Sequence, residues 1–256
     1  MKFCVVASGS KGNMTYIETK EARILIDAGI ALSDAQKRLP EINFSTITDI
    51  FITHEHNDHI RYLETIARKT RANIYMHKKT FESLPSKMKA ELKKHKISFI
   101  EENGQYQLKD FNLLTLGLSH DTASNLGYVF SSEGTSLAYV TDTGFFPHQY
   151  IEAISNIDAI IIEANHSVED LLNSNRHWTL KQRILSERGH LSNQDCFELL
   201  EVIGPSIHKY IILAHVSEDC NSDEALQAEV ISKLAINFKG EILIARQREA
   251  IKIIEI

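Results

Sequence analysis

Four side chains able to hold a divalent cation fall within six residues: His54, His56, Asp58 and His59. Imidazole nitrogen suits zinc and other borderline metals, and carboxylate oxygen extends the choice toward manganese. The group follows Ile50, Phe51 and Ile52, a run of β-formers that reads as a buried strand ended by Thr53. His54 and His56, two apart beyond a strand end, can share one ion. Asp58 and His59 stand at the start of a helical pattern (Ile60, Leu63, Ile66, Ala67) and can reach a second. A surface loop with scattered histidines is the plain alternative, and it explains poorly why four ligand-type groups hang on one hydrophobic strand.

The same pattern recurs along the chain. Ile24–Ile26 runs into Asp27, Asn112–Leu118 into His120, Ser136–Val140 into Asp142 and Lys209–Leu213 into His215. Loops beyond strand ends commonly build sites in layered α/β architectures. On this pattern His54, His56 and His120 supply one ion, Asp58, His59 and His215 a second, and Asp142 bridges the two. Asp27, followed by Gly29 at a tight turn, is expected to orient ligands through hydrogen bonds or, more plainly, to cap a helix near Ser33. Two cations sharing a water would lower its pKa toward neutrality and stabilise charge on an attacked centre. His166 and His190 are not needed to complete the ligand set. One of them, His190 by preference, is expected to bind phosphate or protonate a leaving oxygen, the alternative being a structural histidine near a helix start.

The elements that must position these groups read in order as strands at 3–7, 15–18, 23–26, 50–52, 73–76, 97–100, 105–109, 112–118, 126–131, 136–140, 159–162, 209–213, 242–245 and 250–254. Helices are expected at 33–39, 60–70, 80–96, from Ser192 or Asn193 through Val202, and 222–236. Ser8–Asn13 reads as a hairpin connection, since no GxxxxGK[ST] phosphate loop is present. Arg176, Lys181, Arg183 and Asn193 are candidates for substrate binding. Trp178 and Tyr106 offer rings for base stacking, with core packing as their expected role. The basic run Lys87, Lys89, Lys93, Lys94, His95 and Lys96 is open to two readings, a solvated helix face or a phosphate-tracking patch.

A length of 256 residues fits one domain, expected over 1–256, and 43% hydrophobic with 24% charged residues is an ordinary globular composition. The net charge of −6 gives no global pull toward nucleic acid, so an anionic substrate needs local positive charge or metal. Cys4, Cys196 and Cys220 are odd in number and widely spaced, which argues against a disulfide framework and for a reducing cytoplasm. The apolar run Phe3–Ala7 is too short for a signal peptide or a membrane span.

His54-x-His56-x-Asp58-His59, with His120, Asp142 and His215 in that order, resembles the metallo-β-lactamase superfamily over nearly the whole chain. The resemblance implies an αββα sandwich with a dinuclear site at one edge between the sheets. Asp58 and Asp142 look like the hydrolase and nuclease branches. Ser-Gly-Ser-Lys-Gly-Asn at 8–13, Glu-Ala-Asn-His at 163–166 and Gly-His-Leu-Ser-Asn at 189–193 look like the YycJ (WalJ) subfamily, whose members are cytoplasmic and associated with 5′-to-3′ exonuclease action on DNA. The chain departs in Ser167, where an Asp often follows that histidine. The expectation is therefore a metal-dependent phosphodiesterase acting on DNA with two zinc or manganese ions. A hydrolase of small esters, lactones, thioesters or cyclic phosphodiesters, and a metal-stabilised signalling module without turnover, are the rival readings.

Overall fold

Strand residues alternate between two apolar environments, and that alternation dictates the architecture. In the first strand Phe3 and Val5 enter one hydrophobic cluster while Cys4 and Val6 enter another. In the strand at 159–163, Ala159 and Ile161 join the first cluster while Ile160 and Ile162 join a third. Sheets covered on both faces give such continuous apolar runs. The computed structural model describes residues 1–256. It has two seven-stranded sheets packed face to face.

One sheet contains β1 (Lys2–Ala7), β2 (Met14–Glu18), β3 (Arg23–Ile26), β4 (Asp49–Phe51), β5 (Asn73–Met76) and β6 (Ile97–Phe99). The other contains β7 (Gln105–Leu108), β8 (Phe111–Leu118), β9 (Asn125–Ser132), β10 (Thr135–Val140), β11 (Ala159–Glu163), β12 (Tyr210–Ala214) and β13 (Glu241–Ile244). The short β14 (Ile254–Glu255) returns to pair with β1 at the edge of the first sheet. β3 to β6 run parallel, and so do β10 to β13. Between the sheets Phe51 stacks on Tyr75 at 4.5 Å between centroids and meets Phe130 edge-on at 5.4 Å. Tyr128 crosses the same interface and donates its hydroxyl to the Ile52 carbonyl at 2.6 Å. The helices Leu32–Arg38, Leu63–Thr70 and Ser86–Leu92 cover the outer face of the first sheet, and Asn193–Ile203 covers the second.

This is the αββα arrangement expected, with local differences. The expected helix over 80–96 is two, Lys78–Ser83 and Ser86–Leu92, because Pro85 has no N–H to continue the first and forces Leu84 into an extended conformation. The helix after Asp223 contains a π-turn at Gln227–Ile231. The expected last strand is mostly irregular, with only Ile254–Glu255 paired. No helix is long and apolar enough to cross a membrane.

Candidate functional site

The C-terminal ends of the parallel strands from both sheets meet at one edge. β3 delivers Asp27, β4 leads through Thr53 to His54, and β10, β11 and β12 deliver Asp142, Glu163 and His215. β8, antiparallel to β9 as β9 is to β10, ends at the same edge and brings His120.

Three of these residues hold a left-handed backbone: Asp27 (φ 62), Asp142 (φ 58) and His215 (φ 51). Such conformations cost energy for non-glycine residues and persist only when neighbours fix them. The Asp27 N–H donates to the Phe51 carbonyl at 2.8 Å. The Asn125 amide donates to the Asp142 carbonyl at 2.6 Å. The His215 N–H donates to Ser8 Oγ at 2.7 Å.

His54, His59, His120 and His215 share one design: a nitrogen turned outward is engaged by the surrounding protein, and this fixes the tautomer and aims the other nitrogen inward. His59 Nδ1 lies 2.7 Å from Asp27 Oδ2, and the same carboxylate accepts from the Thr53 N–H at 2.9 Å. His54 Nδ1 is 3.0 Å from Thr53 Oγ1. His120 Nδ1 donates to the Gly189 carbonyl at 2.9 Å. His215 Nδ1 donates to Glu163 Oε1 at 3.0 Å. His56 Nε2 faces Asp121 Oδ1 at 3.7 Å, and the other oxygen of Asp121 pairs with Arg183.

What remains inward is a set of buried atoms with no hydrogen-bond partner: Nε2 of His54, His120 and His215, and Oδ2 of Asp142. Ligand atoms of His54, His56 and His120 lie within 4.8 Å of one another, and so do those of Asp58, His59 and His215. Asp142 reaches both groups, with Oδ1 4.0 Å from His120 Nε2 and 3.3 Å from His215 Nε2. Buried polar atoms left unpaired are costly unless something else satisfies them, so this donor set of imidazoles and carboxylates fits divalent metal.

The two groups differ electrostatically. Burial, with neighbouring imidazoles, pushes the His54 pKa well below its ordinary value, and burial lowers that of His120. Burial also acts against a charged His215, but Asp142, Asp58 and Glu163 outweigh it and raise its pKa to about 10. His59 is driven well up in the same way by Asp27, Asp142 and Asp58. Burial opposes ionisation of Asp58, yet His59 and His215 hold its carboxyl far below the usual range.

The pattern of the beta-lactamase superfamily domain matches residues 22–215. The chain belongs to that superfamily. It is 35% identical over 238 residues to the exodeoxyribonuclease WalJ of Streptococcus pneumoniae serotype 2, covering 91% of this chain and 88% of that one. It is 34% identical over 240 residues to the exodeoxyribonuclease YycJ of Bacillus anthracis, covering 90% and 88%. Within the superfamily it therefore belongs with the WalJ and YycJ proteins. Zinc-bound PqqB of Methylobacterium extorquens shares the fold at a TM-score of 0.77 and 13% identity, over 98% of this chain and all of that one.

The site opens into a cavity of about 200 Å³ whose wall includes His56, Asp58, His120, Asp142, His190, His215, Arg176 and Arg183. Three other candidates lie elsewhere. Lys181 is buried and its ammonium donates to the carbonyls of Leu172 and Ser174 at 2.6 and 2.7 Å, so it braces a turn. Asn193 is buried, exchanges hydrogen bonds with Asn221 and donates to the Glu229 carboxylate. His166 is buried outside the cavity wall, and burial lowers its pKa to about 4. Trp178, expected in the core, is 56% exposed. Tyr106 is half-buried against the core, and its hydroxyl accepts from the Glu101 N–H.

Glu163 is the residue that sequence reasoning missed. It is fully buried, with Oε1 accepting from His190 Nδ1 at 2.8 Å and from His215 at 3.0 Å. Its Oε2 accepts from the N–H groups of Thr143 and Leu191 at 2.9 and 3.2 Å. Burial opposes its charge, but His190 and His215 keep its carboxyl well below the usual range.

Proposed function

We propose that the protein is a metal-dependent phosphodiesterase that removes nucleotides from DNA ends, using two divalent cations, zinc or manganese. The carrying observation is the convergence of unpartnered imidazole and carboxylate atoms in a cavity that also holds Arg176 and Arg183. The exodeoxyribonuclease relatives, at 34–35% identity, support DNA as the substrate. In this reading His54, His56 and His120 would hold one cation and Asp58, His59 and His215 the other, with Asp142 within reach of both groups. Asp27 orients His59, and Glu163 orients His215 and His190. When bound, the cations supply an acidified water and neutralise charge on the phosphoryl group.

The chain's own groups do the rest. Asp58, ionised and reaching the cavity, receives a proton from the attacking water. Arg176 and Arg183 bind non-bridging oxygens. His190, whose Nδ1–H is held by Glu163, acts as the doubly protonated ring and gives its Nε2 proton to the departing oxygen. A cavity of about 200 Å³ is far too small for a duplex, which favours entry of a strand end. Three free, buried cysteines fit a reducing cytoplasm.

The test is a panel of end-labelled single-stranded and duplex DNA, RNA and bis(p-nitrophenyl) phosphate, with protein reconstituted separately with zinc and manganese. Stepwise loss of nucleotides from DNA, abolished in Asp142→Ala with the fold intact, is expected. Undiminished turnover by Asp142→Ala would overturn the site assignment. Turnover of small esters or lactones with none of DNA would favour the small-molecule reading.

A further inference from the structure

The loop directly after His215 carries Glu218 and Asp219 and leads into a helix that starts at Asp223, and each of these carboxylates is paired with a cation remote in sequence. Glu218 pairs with Lys11 and, at 3.2 Å, with Arg248. Asp219 pairs with Arg176 at 3.0 Å, and Asp223 pairs with Arg246. These four cations come from the β1–β2 loop, the segment before the helix Trp178–Ile184, and the stretch after β13. Arg176, Arg246 and Arg248 line two adjoining hollows, and Lys11 reaches the second through its pair with Glu218. The first is the cavity described above. The second, of about 430 Å³, is lined by Arg246 and Arg248 together with the carboxylates of Glu218, Asp223 and Glu249, and shares Val216 and Ser217 with the first.

We propose that Lys11, Arg176, Arg246 and Arg248 form the track along which the phosphate backbone of single-stranded DNA leaves the cavity, with the 218–223 carboxylates holding the cations in place until phosphates replace them. This rests on the nucleic-acid reading of the site. The pairs are exposed: the side chains of Asp219, Asp223 and Arg248 are 75%, 65% and 77% accessible. Exposed pairs of this kind are weak and screened by salt, so a polyanion displaces the carboxylates at little cost. Pre-pairing also keeps long side chains ordered at the rim, which reduces what binding must immobilise.

The rival basic surface lies elsewhere. Lys93, Lys94 and Lys96 immediately precede β6, which runs parallel to β5 and β4. The run therefore sits at the strand ends opposite His54. It is a solvated face, and Lys94 is paired with its neighbour Glu91.

The test is the salt dependence of binding to a cleavage-resistant phosphorothioate oligonucleotide by cation-loaded protein. Each phosphate contact to single strands contributes about 0.7 to the log–log slope, so Arg246→Gln/Arg248→Gln is expected to reduce it by about 1.4. Glu218→Gln/Asp223→Asn, which frees those arginines, is expected to tighten binding about two- to fivefold. Lys93→Gln/Lys94→Gln is expected to leave the slope unchanged. A wild-type slope in the arginine variant, or a reduced slope in the lysine variant, would overturn the track. Failure of wild-type protein to bind any nucleic acid would instead overturn the reading beneath it.

Discussion

Replacing Glu163 by Gln keeps the volume and removes one oxygen's ability to accept, so its consequences can be worked out atom by atom. Oε2 faces two backbone N–H donors and Oε1 faces two imidazole Nδ1 atoms. If the amide oxygen stays toward Thr143 and Leu191, its NH₂ points at Nδ1 of His190 and His215. Both rings must then give up the Nδ1 proton and carry it on Nε2, which in His215 is the atom turned into the proposed metal site. If the amide turns over, NH₂ meets two N–H groups and both are left unpaired in a fully buried position. Either way two charge-assisted hydrogen bonds are lost, each worth about 1.5–3 kcal/mol. Loss of such an orienting partner typically lowers metal affinity about 10–100-fold, equivalent to about 1.4–2.8 kcal/mol. Chelator competition gives the affinity directly, and circular dichroism of the same samples checks the fold. Loss is expected mainly for the cation at Asp58, His59 and His215, while the His54, His56 and His120 group keeps its affinity. A Glu163→Gln protein that folds and binds both cations like wild type would refute the orienting role.

Two further outcomes follow from the electrostatics and packing of the same edge. In cation-free protein the His215 pKa is about 10 against an ordinary 6.5, so its contribution to stability is complete below about pH 6.5 and is lost as pH rises through 10. His166, lowered to about 4, acts in the opposite sense and removes stability as pH falls from 6.5 toward 4. The melting temperature in chelator is therefore expected to peak near pH 6.5, whereas saturating zinc, which displaces the His215 proton, removes the alkaline decline; a chelated protein melting higher at pH 9 than at pH 7 contradicts this. Gly29→Ala places a methyl 1.7 Å from the Asp58 carbonyl oxygen and 2.5 Å from the Asn13 nitrogen. It is expected to destabilise by about 1–3 kcal/mol or more and to weaken metal binding, while Gly204→Ala, with nothing within 4 Å, is expected to be neutral in the same denaturant titration.

The sandwich and the converging strand ends were legible because buried parallel strands read as apolar runs, and a His or Asp that ends such a run has few other reasons to be there. Glu163 directly follows the apolar run 159–162, as Asp27 follows 24–26, but His166 three residues on drew the attention; in the structure Glu163 is the last residue of the strand. Alternation along β11 carried the missing signal. Ala159 and Ile161 face the interior between the sheets while Ile160, Ile162 and Ala164 face outward. Continued at period two, the inward parity falls on Glu163 and Asn165, and both touch His215. The outward parity falls on His166, the more conspicuous residue for metal chemistry and the one outside the cavity. Lys181 and Arg183 could not be sorted in this way, because the short helix Trp178–Ile184 gave no apolar stripe long enough to fix a face, whereas Asn193 heads the buried stripe of Cys196, Leu200 and Ile203.

The glycine at 29 was misread in a more instructive way. Asp27-Ala28-Gly29 suggests that glycine takes the tight-turn conformation, and Asp142-Thr143-Gly144 repeats the spacing. The structure gives the positive φ to the aspartates and asks something else of the glycines. A methyl at Gly29 would strike the Asp58 carbonyl, and one at Gly144 would come within 2.4 Å of the Glu187 carbonyl. Each glycine thus lets a distant loop approach the strand end. At Gly29 it is the loop bearing Asp58 and His59, and at Gly144 the loop that precedes Gly189, whose carbonyl fixes His120. The aspartates bear the backbone strain because the left-handed turn throws their side chains across the strand end toward the histidines. The spacing Asp-x-Gly therefore encodes two separate demands, an aimed carboxylate and a close packing contact, and only the packed loops distinguish them from an ordinary turn.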